Sequence, residues 1–526
     1  MTWIVMGEER GKVKMISKRD SDGMLPKGSY LTVELNGKRY ILRVDESSQS
    51  ELFEPSPMVV DMDLSALRQD QECRNIIVAS RVRDMDGRDD GLVDFISPQS
   101  TARRSNQEEI DLAIGSSADG PRVFVATLHT GKNDVLRDDK GKPITARLPK
   151  DVFFHQIMIC GKTGSGKTVA AKYLAQYFVE ELEGAVLAVN VKDTDLLEMN
   201  KPSRAKNPEV LEEWKYLGEE PKGIDNYVVY YPATIALESM AGVDHRVCKR
   251  TTLDVKRIEP ESLAGLLQGI TDAATQSLPN IFRFWQEDMR QKNEEDEFTF
   301  GGFVRYFQGM EANDRIFQTC NSRGEISSLP LHKGTFDNVV RNLDYAVDFF
   351  DNEDSVALDE NDILVRGKLS VVNVAGRKGT EFGAILLRDL LHRIVDKKSK
   401  GESTVPILII IDEVHRFYDT NSTREALGDL DTICRTGRSR EIGVVFSSQN
   451  PSDIPRGLSS VINTKIFFKS DAASPRSFGV SISEEEMEGL KKGYAAASIH
   501  ELSTLRVIKF PMSLCGVFEG GRQLNG

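Results

Sequence analysis

Cysteine is scarce in this chain. Six occur in 526 residues, at Cys73, Cys160, Cys248, Cys320, Cys434 and Cys515, and no two form a Cys-x-x-Cys pair. A disulfide scaffold and a zinc ribbon are thereby excluded, and the thiols read as reduced and mostly buried. The seven histidines fall at no ligand spacing either. Long apolar runs are missing too. Even a run as long as any, Ile407 to Ile411, is strand-sized, far short of the ~20 residues a membrane-spanning helix needs. Met1 to Arg10 lack a basic stretch followed by an apolar one, so no secretory signal is read there. These absences predict a cytoplasmic protein. Positive charge is in deficit, with 68 Lys and Arg against 81 Asp and Glu, a formal −13. That excludes a protein coating nucleic acid over its whole surface. It leaves room for a local basic channel, because phosphate contacts depend on where the cations sit. What the chain does have is a 40% hydrophobic fraction, enough for a real core, and a length that predicts roughly two to four domains.

Residues 1 to about 110 are β-rich. Leu31 to Leu35 and Tyr40 to Val44 alternate inward and outward around Asn36-Gly37, a strong hairpin signal because both residues tolerate positive φ. Gly11 to Met15, Asn75 to Val82 and Leu92 to Ile96 are further strand-like runs. Short strands at this spacing predict a small barrel or a sandwich. The polar stretches 84–90 and 98–120 read as a loop and a linker. From about 121 apolar strands alternate with helical stretches: His155 to Cys160, Ala185 to Val191, Tyr227 to Tyr231, Leu369 to Val374, Ile407 to Ile411 and Gly443 to Ser447. Runs this apolar suit parallel strands covered on both faces. Residues 195–365 are mostly charged and helical, as in Ser262 to Ser277 and Asn338 to Asp351, and read as an insertion.

Gly161-Lys-Thr163-Gly164-Ser165-Gly166-Lys167-Thr168 fits G-x-x-x-x-G-K-[ST], with an apolar strand before it and a helix, Val169 to Glu183, after it. Such a loop wraps nucleotide phosphates in backbone N–H groups, and the new helix points its positive end at the same charge. Lys167 is expected to reach the β- and γ-phosphate oxygens of ATP, and the Thr168 hydroxyl to ligate Mg²⁺. Gly161, Thr163, Gly164, Ser165, Gly166 and Val169 complete the expected nucleotide-binding set. Ile407 to Glu413 is a buried strand ending in two carboxylates. Asp412 suits Mg²⁺, and Glu413 suits the activation of an attacking water. Such a pair separates hydrolases from small-molecule kinases. Gly443 to Gln449 is an apolar strand ending in an amide; Gln449 reads either as a γ-phosphate sensor or as a simple strand cap. In Arg435-Thr-Gly-Arg438-Ser-Arg440, three close arginines read equally as a solvated helix end or as the source of a finger that crosses a subunit boundary.

With these motifs in place, the chain resembles the HerA group of the HerA/FtsK hexameric DNA-translocating ATPases. His155-Gln-Ile-Met-Ile-Cys-Gly-Lys-Thr-Gly-Ser-Gly-Lys-Thr168 is similar to that family's extended Walker A, and Asp412-Glu413-Val-His415 to its Walker B. Arg435-x-Gly-Arg438, Gly443 and Ser448-Gln449-Asn-Pro451-Ser-Asp-Ile454 are similar to its stretch from arginines to sensor glutamine. Leu490-Lys-Lys-Gly493-Tyr-Ala495, Phe510-Pro511, and, near the start, Gly11-Lys-Val13 and Leu25-Pro-Lys-Gly28 also fit. The resemblance implies an α/β fold. A RecA-like P-loop motor core over 121–526, with a mainly helical insertion at about 195–365, would follow an N-terminal small β-barrel over 1–115. It also implies a homohexamer with ATP at subunit interfaces and double-stranded DNA in a central channel. Arg438 then becomes the first choice for the trans finger and Arg435 the second. Two departures stand out: Asn450 where arginine is common after the glutamine, and Asn190-Val-Lys192-Asp193 where many relatives carry an Asp-rich strand end. Family partners are a NurA-like nuclease or a defence effector, sirtuin-like or nuclease, and no nuclease motif is read in this chain. Lys201, Arg204 and Lys206 are a candidate channel cluster, alternatively a solvated loop. The expected activity is ATP-driven DNA translocation or helicase action, in DNA end processing or antiphage defence. The alternative is an ATP-controlled scaffold that assembles and activates an effector.

Overall fold

The structure is a computed structural model. It describes residues 3–17, 25–50, 74–85, 94–129, 132–192, 195–240, 242–267, 272–292, 296–418, 427–470, 473–480, 482–502 and 505–519. The chain divides into two compact units, 1–150 with 465–511, and 151–464 with 512–526. Residues 121–150 and 465–511, placed in the motor segment by the sequence reading, thus share a unit with the N-terminal strands.

In the first unit six strands close a barrel, in the order Trp3–Glu9, Lys12–Ser17, Arg74–Met85, Lys38–Ser50, Tyr30–Leu35 and Thr101–Arg104. Asn36 and Gly37 take positive φ, 53° and 77°, as the hairpin requires. Arg10-Gly11 make a second turn of the same kind (51° and 71°) between the first two strands. Alternate residues Val13 and Met15, Leu31 and Val33, and Leu42 and Val44 fill the barrel interior with Trp3 and Ile77. Of the expected strand Leu92 to Ile96, residues 92–93 lie outside the described residues, and 94–96 form no strand, although Ile96 is buried in the same core.

The stretch 98–120 is not a linker. Thr101–Arg104 closes the barrel by pairing with both Trp3–Ile4 and Leu31–Val33. Gln107–Ile114 is a helix started by a reciprocal capping box between Asn106 and Glu109. Polar composition hides this structure because the buried side chain is itself charged. Glu109, 1% exposed, accepts from Thr32 Oγ1 (2.9 Å), Asn106 N (3.0 Å) and both Arg103 terminal nitrogens (3.0 and 2.7 Å). Burial pushes its carboxyl up, but Arg103 and these donors outweigh it and hold the carboxyl below its ordinary range.

The rest of this unit is antiparallel. Thr464–Phe468 pairs with Tyr494–Ser498, which pairs with Val507–Lys509, which pairs with Arg122–His129. Lys132–Val135 and Thr145–Arg147 also pair with Arg122–His129.

The second unit is built on parallel strands in the order Val356–Ala357, Cys248–Thr252, Tyr227–Pro232, Leu369–Asn373, Ala185–Asn190, Ile407–Asp412, Ile442–Ser448 and Ile157–Cys160. Every residue of Ala185–Asn190, Leu369–Asn373, Ile407–Asp412 and Ile442–Ser448 is buried, as strands covered on both faces must be. This is the α/β, RecA-like P-loop core. The region 195–365 is not purely an insertion, since it gives Tyr227–Pro232, Cys248–Thr252 and Val356–Ala357 to the sheet. Between the last two, helices Asp272–Lys292, Phe300–Gly309 and Lys333–Ala346 and the hairpin Ile316–Cys320/Ile326–Pro330 bury a cluster of Phe282, Trp285, Phe303, Phe307, Phe317 and Phe336. Among the described residues no helix is long and apolar enough to cross a membrane.

Removing the Glu109 carboxylate leaves Arg103 without its buried partner. Glu109→Ala is expected to cost about 2–4 kcal/mol, read as lost hydrogen-exchange protection of the barrel strands. Because the folded-state pKa is lowered, this stability is complete above the ordinary glutamate range and disappears as pH falls through it and below. A Glu109→Gln variant should show a flatter acid dependence.

Candidate functional site

In a sheet of this kind ligands gather beyond the carboxyl ends of the strands. Strand Ile157–Cys160 runs in register with Val445–Ser448 and stops opposite Ser448. The chain then turns through Gly161, Gly164 and Gly166 at φ 152°, 79° and 120°; such values admit the bare backbone of glycine with little strain. Helix Lys167–Glu180 begins immediately after. The loop, the Lys167 side chain and the helix start therefore converge just beyond the strand end. Lys162, Thr163 and Gly164 are exposed, while Ser165 and Lys167 are buried. Lys167 folds back over the loop, donating to the carbonyls of Gly161 and Lys162 (3.1 Å to the latter). Burial, with the nearby charge of Lys192, pulls its pKa down. Val169 packs its side chain against the cluster of Trp214, Met512 and Leu514, so it braces the helix and offers a nucleotide only its backbone.

Strand Ile407–Asp412 pairs with Ile442–Ser448, with Asp412 opposite Ser447. Glu413 leaves the strand at φ 50°, a left-handed conformation costly for a non-glycine residue. Its N–H is tied to Ser447 O at 2.7 Å. Both carboxylates are buried, Glu413 to 2% exposure. The neighbouring strand end supplies their donors in succession: Ser447 Oγ to Asp412 Oδ1 (2.9 Å), Ser448 Oγ to Glu413 Oε2 (3.2 Å) and Gln449 Nε2 to Glu413 Oε1 (3.3 Å). Gln449 thus reaches the acid pair, a position from which a strand end can report on bound phosphate.

Two groups here escape sequence reasoning. Lys192 Nζ lies 3.0 Å from Asp412 Oδ2 and 3.1 Å from Glu413 Oε1. Asp195 accepts from Thr168 Oγ1 at 3.3 Å and lies 3.9 Å from Lys192 Nζ. The only sequence signal was the departure at Asn190-Val-Lys192-Asp193; Asp193 itself lies outside the described residues. Burial pushes Asp412 up against the pull of Lys192. Glu413 is also pushed up by burial, but Lys192, Gln449 and His415 prevail and hold it below its usual range. An ionised glutamate beside a polar strand end suits a general base. The Asp412 and Asp195 carboxylates already meet one cation, the Lys192 ammonium, and the Thr168 hydroxyl donates to Asp195. Oxygen donors of this kind fit Mg²⁺.

The arginines lie elsewhere. Helix Asp429–Thr436 and the turn Gly437–Arg440 precede strand Ile442–Ser448, so Arg435 and Arg438 sit toward its amino end. The loop and carboxylates sit at the carboxyl end, about 20 Å away by the rise of a strand. Arg435 Nε is held by the buried Asp431 carboxylate (2.7 and 2.9 Å). Arg438 is 62% exposed and meets Asp151 at 3.0 Å. Buried Gln156 ties these parts together, donating to Ile433 O (3.2 Å) and accepting from Val444 N (2.7 Å). Lys201, proposed for a channel, is paired with Glu198 at 2.9 Å. Its neighbours Arg204 and Lys206 are backbone-bonded to Val517 and Glu519, a braced segment in place of a free loop.

With Glu413 as the expected base, its replacement by Gln removes the carboxylate and keeps the shape. ATP hydrolysis should fall by about 10²–10⁴-fold with nucleotide binding retained, whereas Lys167→Ala should lose binding. Parallel hydrolysis and nucleotide-binding assays check both.

No family model matches the chain. Over 395 residues it is 22% identical to the DNA double-strand break repair helicase HerA of Saccharolobus solfataricus, covering 72% of this chain and 68% of that one. Over 222 residues it is 28% identical to the probable DNA double-strand break repair helicase HerA of Methanocaldococcus jannaschii, covering 35% and 42%. Among solved structures, the bacterial conjugative coupling protein TrwB aligns with a TM-score of 0.48 at 11% identity, over 80% of this chain and 94% of that one.

Proposed function

From the premise that this chain is a HerA-type ATP-hydrolysing enzyme, we propose that it is the motor subunit of a homohexameric DNA translocase or helicase that drives double-stranded DNA through a central channel. The observation that carries the reading is the split of its machinery. The phosphate loop, Asp412, Glu413 and Gln449 occupy the carboxyl end of the central strands, and Arg435 and Arg438 lie toward the amino end. An arginine so placed can meet a γ-phosphate only in a neighbouring subunit, which makes a closed ring the natural assembly. Arg438, exposed and lightly paired, is the trans finger; Arg435, locked to Asp431, positions the helix that presents it.

Within a subunit, the loop amides and Lys167 hold the phosphates of ATP, and Glu413 takes the proton of the attacking water. Thr168 and Asp412 would hold Mg²⁺, which supplies charge neutralisation on the β- and γ-phosphate oxygens when bound. Gln449, bonded to Glu413 and seated at a strand end, passes the state of the γ-phosphate on to the sheet. With a net charge of −13 per chain, DNA is repelled by most of the surface and is gripped by a few channel cations, so binding without nucleotide is weak and salt-sensitive. The helicase names of the relatives support the DNA substrate. A separate nuclease, NurA-like, or a defence effector such as a sirtuin-like subunit would act on the DNA or signal that the motor delivers, in the cytoplasm.

Duplex DNA is expected to stimulate ATP hydrolysis several-fold, and sedimentation should show a hexamer. An equimolar mixture of Arg438→Ala and Glu413→Gln subunits should regain part of the activity each lacks, because some interfaces then join an intact finger to an intact base. A monomer whose hydrolysis ignores DNA, or a mixture with no recovery, would contradict the reading.

A further inference from the structure

The segment after strand Ala185–Asn190 is built to place one cation. Asn190 is fully buried. Its amide nitrogen donates to Asn373 Oδ1 on the adjacent strand (3.0 Å) and to the carbonyl of Lys192. The Lys192 backbone is therefore pinned to the sheet, two residues beyond the strand end. From there its ammonium reaches Asp412 at 3.0 Å, Glu413 at 3.1 Å and, more loosely, Asp195 at 3.9 Å. Asp195 in turn holds the Thr168 hydroxyl. One side chain thus bridges the carboxylate read as the metal holder, the carboxylate read as the base and a third carboxylate that holds the Thr168 hydroxyl. An ammonium and a dication cannot both hold the same Asp412 oxygen, because at contact distance their repulsion is large in a buried site.

We propose that Lys192 is a positioning residue that competes with Mg²⁺ for Asp412 and restrains Glu413 until a nucleotide arrives with the ion. The inference rests on the reading of Thr168 and Asp412 as the Mg²⁺ holders. In the resting site Lys192 sits between two buried carboxylates and offsets the repulsion between them. When a nucleotide enters, its terminal phosphate offers the ammonium a new anion. The flexible four-carbon stem lets Lys192 swing to it and release Asp412 and Glu413 together. Water activation is thereby tied to a loaded site.

The test is a fluorescent ATP analogue bound to the full chain while Mg²⁺ is titrated, for wild type, Lys192→Met, Lys192→Arg and Asp412→Asn. In Lys192→Met the Mg²⁺ concentration at half-saturation should fall about tenfold, because the cation that competes for Asp412 is gone. Lys192→Arg should stay near wild type, and binding in excess chelator should not strengthen in any variant. Lys192→Gln gives the same reading should Lys192→Met fail to fold. An unchanged or raised half-saturation in Lys192→Met overturns the proposal. If wild-type binding is indifferent to Mg²⁺, or Asp412→Asn leaves its Mg²⁺ dependence intact, it is the metal reading that fails. If those controls behave and Lys192→Met does not move, competition by Lys192 alone fails.

Discussion

The site depends above all on the register of three parallel strands. Cys160 lies opposite Ser448, and Asp412 opposite Ser447. That alignment brings the phosphate loop, the carboxylate pair and the amide of Gln449 to one edge of the sheet within hydrogen-bonding reach. A slip of one residue would turn Asp412 to the other face and break its bond to Ser447, because side chains alternate along a strand. The register is held by apolar packing on both faces, and by Gln156, whose buried amide joins the start of the phosphate-loop strand to Ile433 and Val444. Chemistry at one end of these strands and the arginine-bearing turn at the other are thereby connected through a short run of sheet.

The second constraint is charge. Asp412 and Glu413 are buried side by side, an arrangement that water would normally have to relieve. Here Lys192, three consecutive donors from Ser447 to Gln449, and the left-handed turn at Glu413 take that place. The strain and the buried charge are both concentrated where a hydrolase needs an ionised base.

The motifs were legible because their parts are contiguous. A glycine loop between a strand and a helix, or two acids at a strand end, has its physical meaning within ten residues. The barrel strands were legible for the same reason, since Asn36-Gly37 and the alternation around it are local. Lys192 was not, because a lone lysine acquires its role only when strand Ala185–Asn190 lies beside Ile407–Asp412. Thr101–Arg104 and the helix after it were hidden by polar composition, although Asn106-x-x-Glu109 carried a visible cap signal. Cys248–Thr252 escaped because Lys249 and Arg250 break the apolar pattern expected of a sheet strand. The grouping of 122–147 with 494–509 rests on antiparallel pairing across more than 300 residues of chain, which no local pattern reveals.

An acidic chain proposed to handle an acidic polymer must confine its cations, and this one places a lysine among the carboxylates beside the phosphate loop. Whether hydrolysis at these strand ends moves DNA is read from displacement of a triplex-forming oligonucleotide from duplex DNA. The wild-type protein should displace it with ATP and Mg²⁺, and should not when ATP is replaced by a non-hydrolysable analogue. Vigorous ATP hydrolysis with no displacement, or displacement that persists with the analogue, would contradict a coupling of hydrolysis to DNA movement.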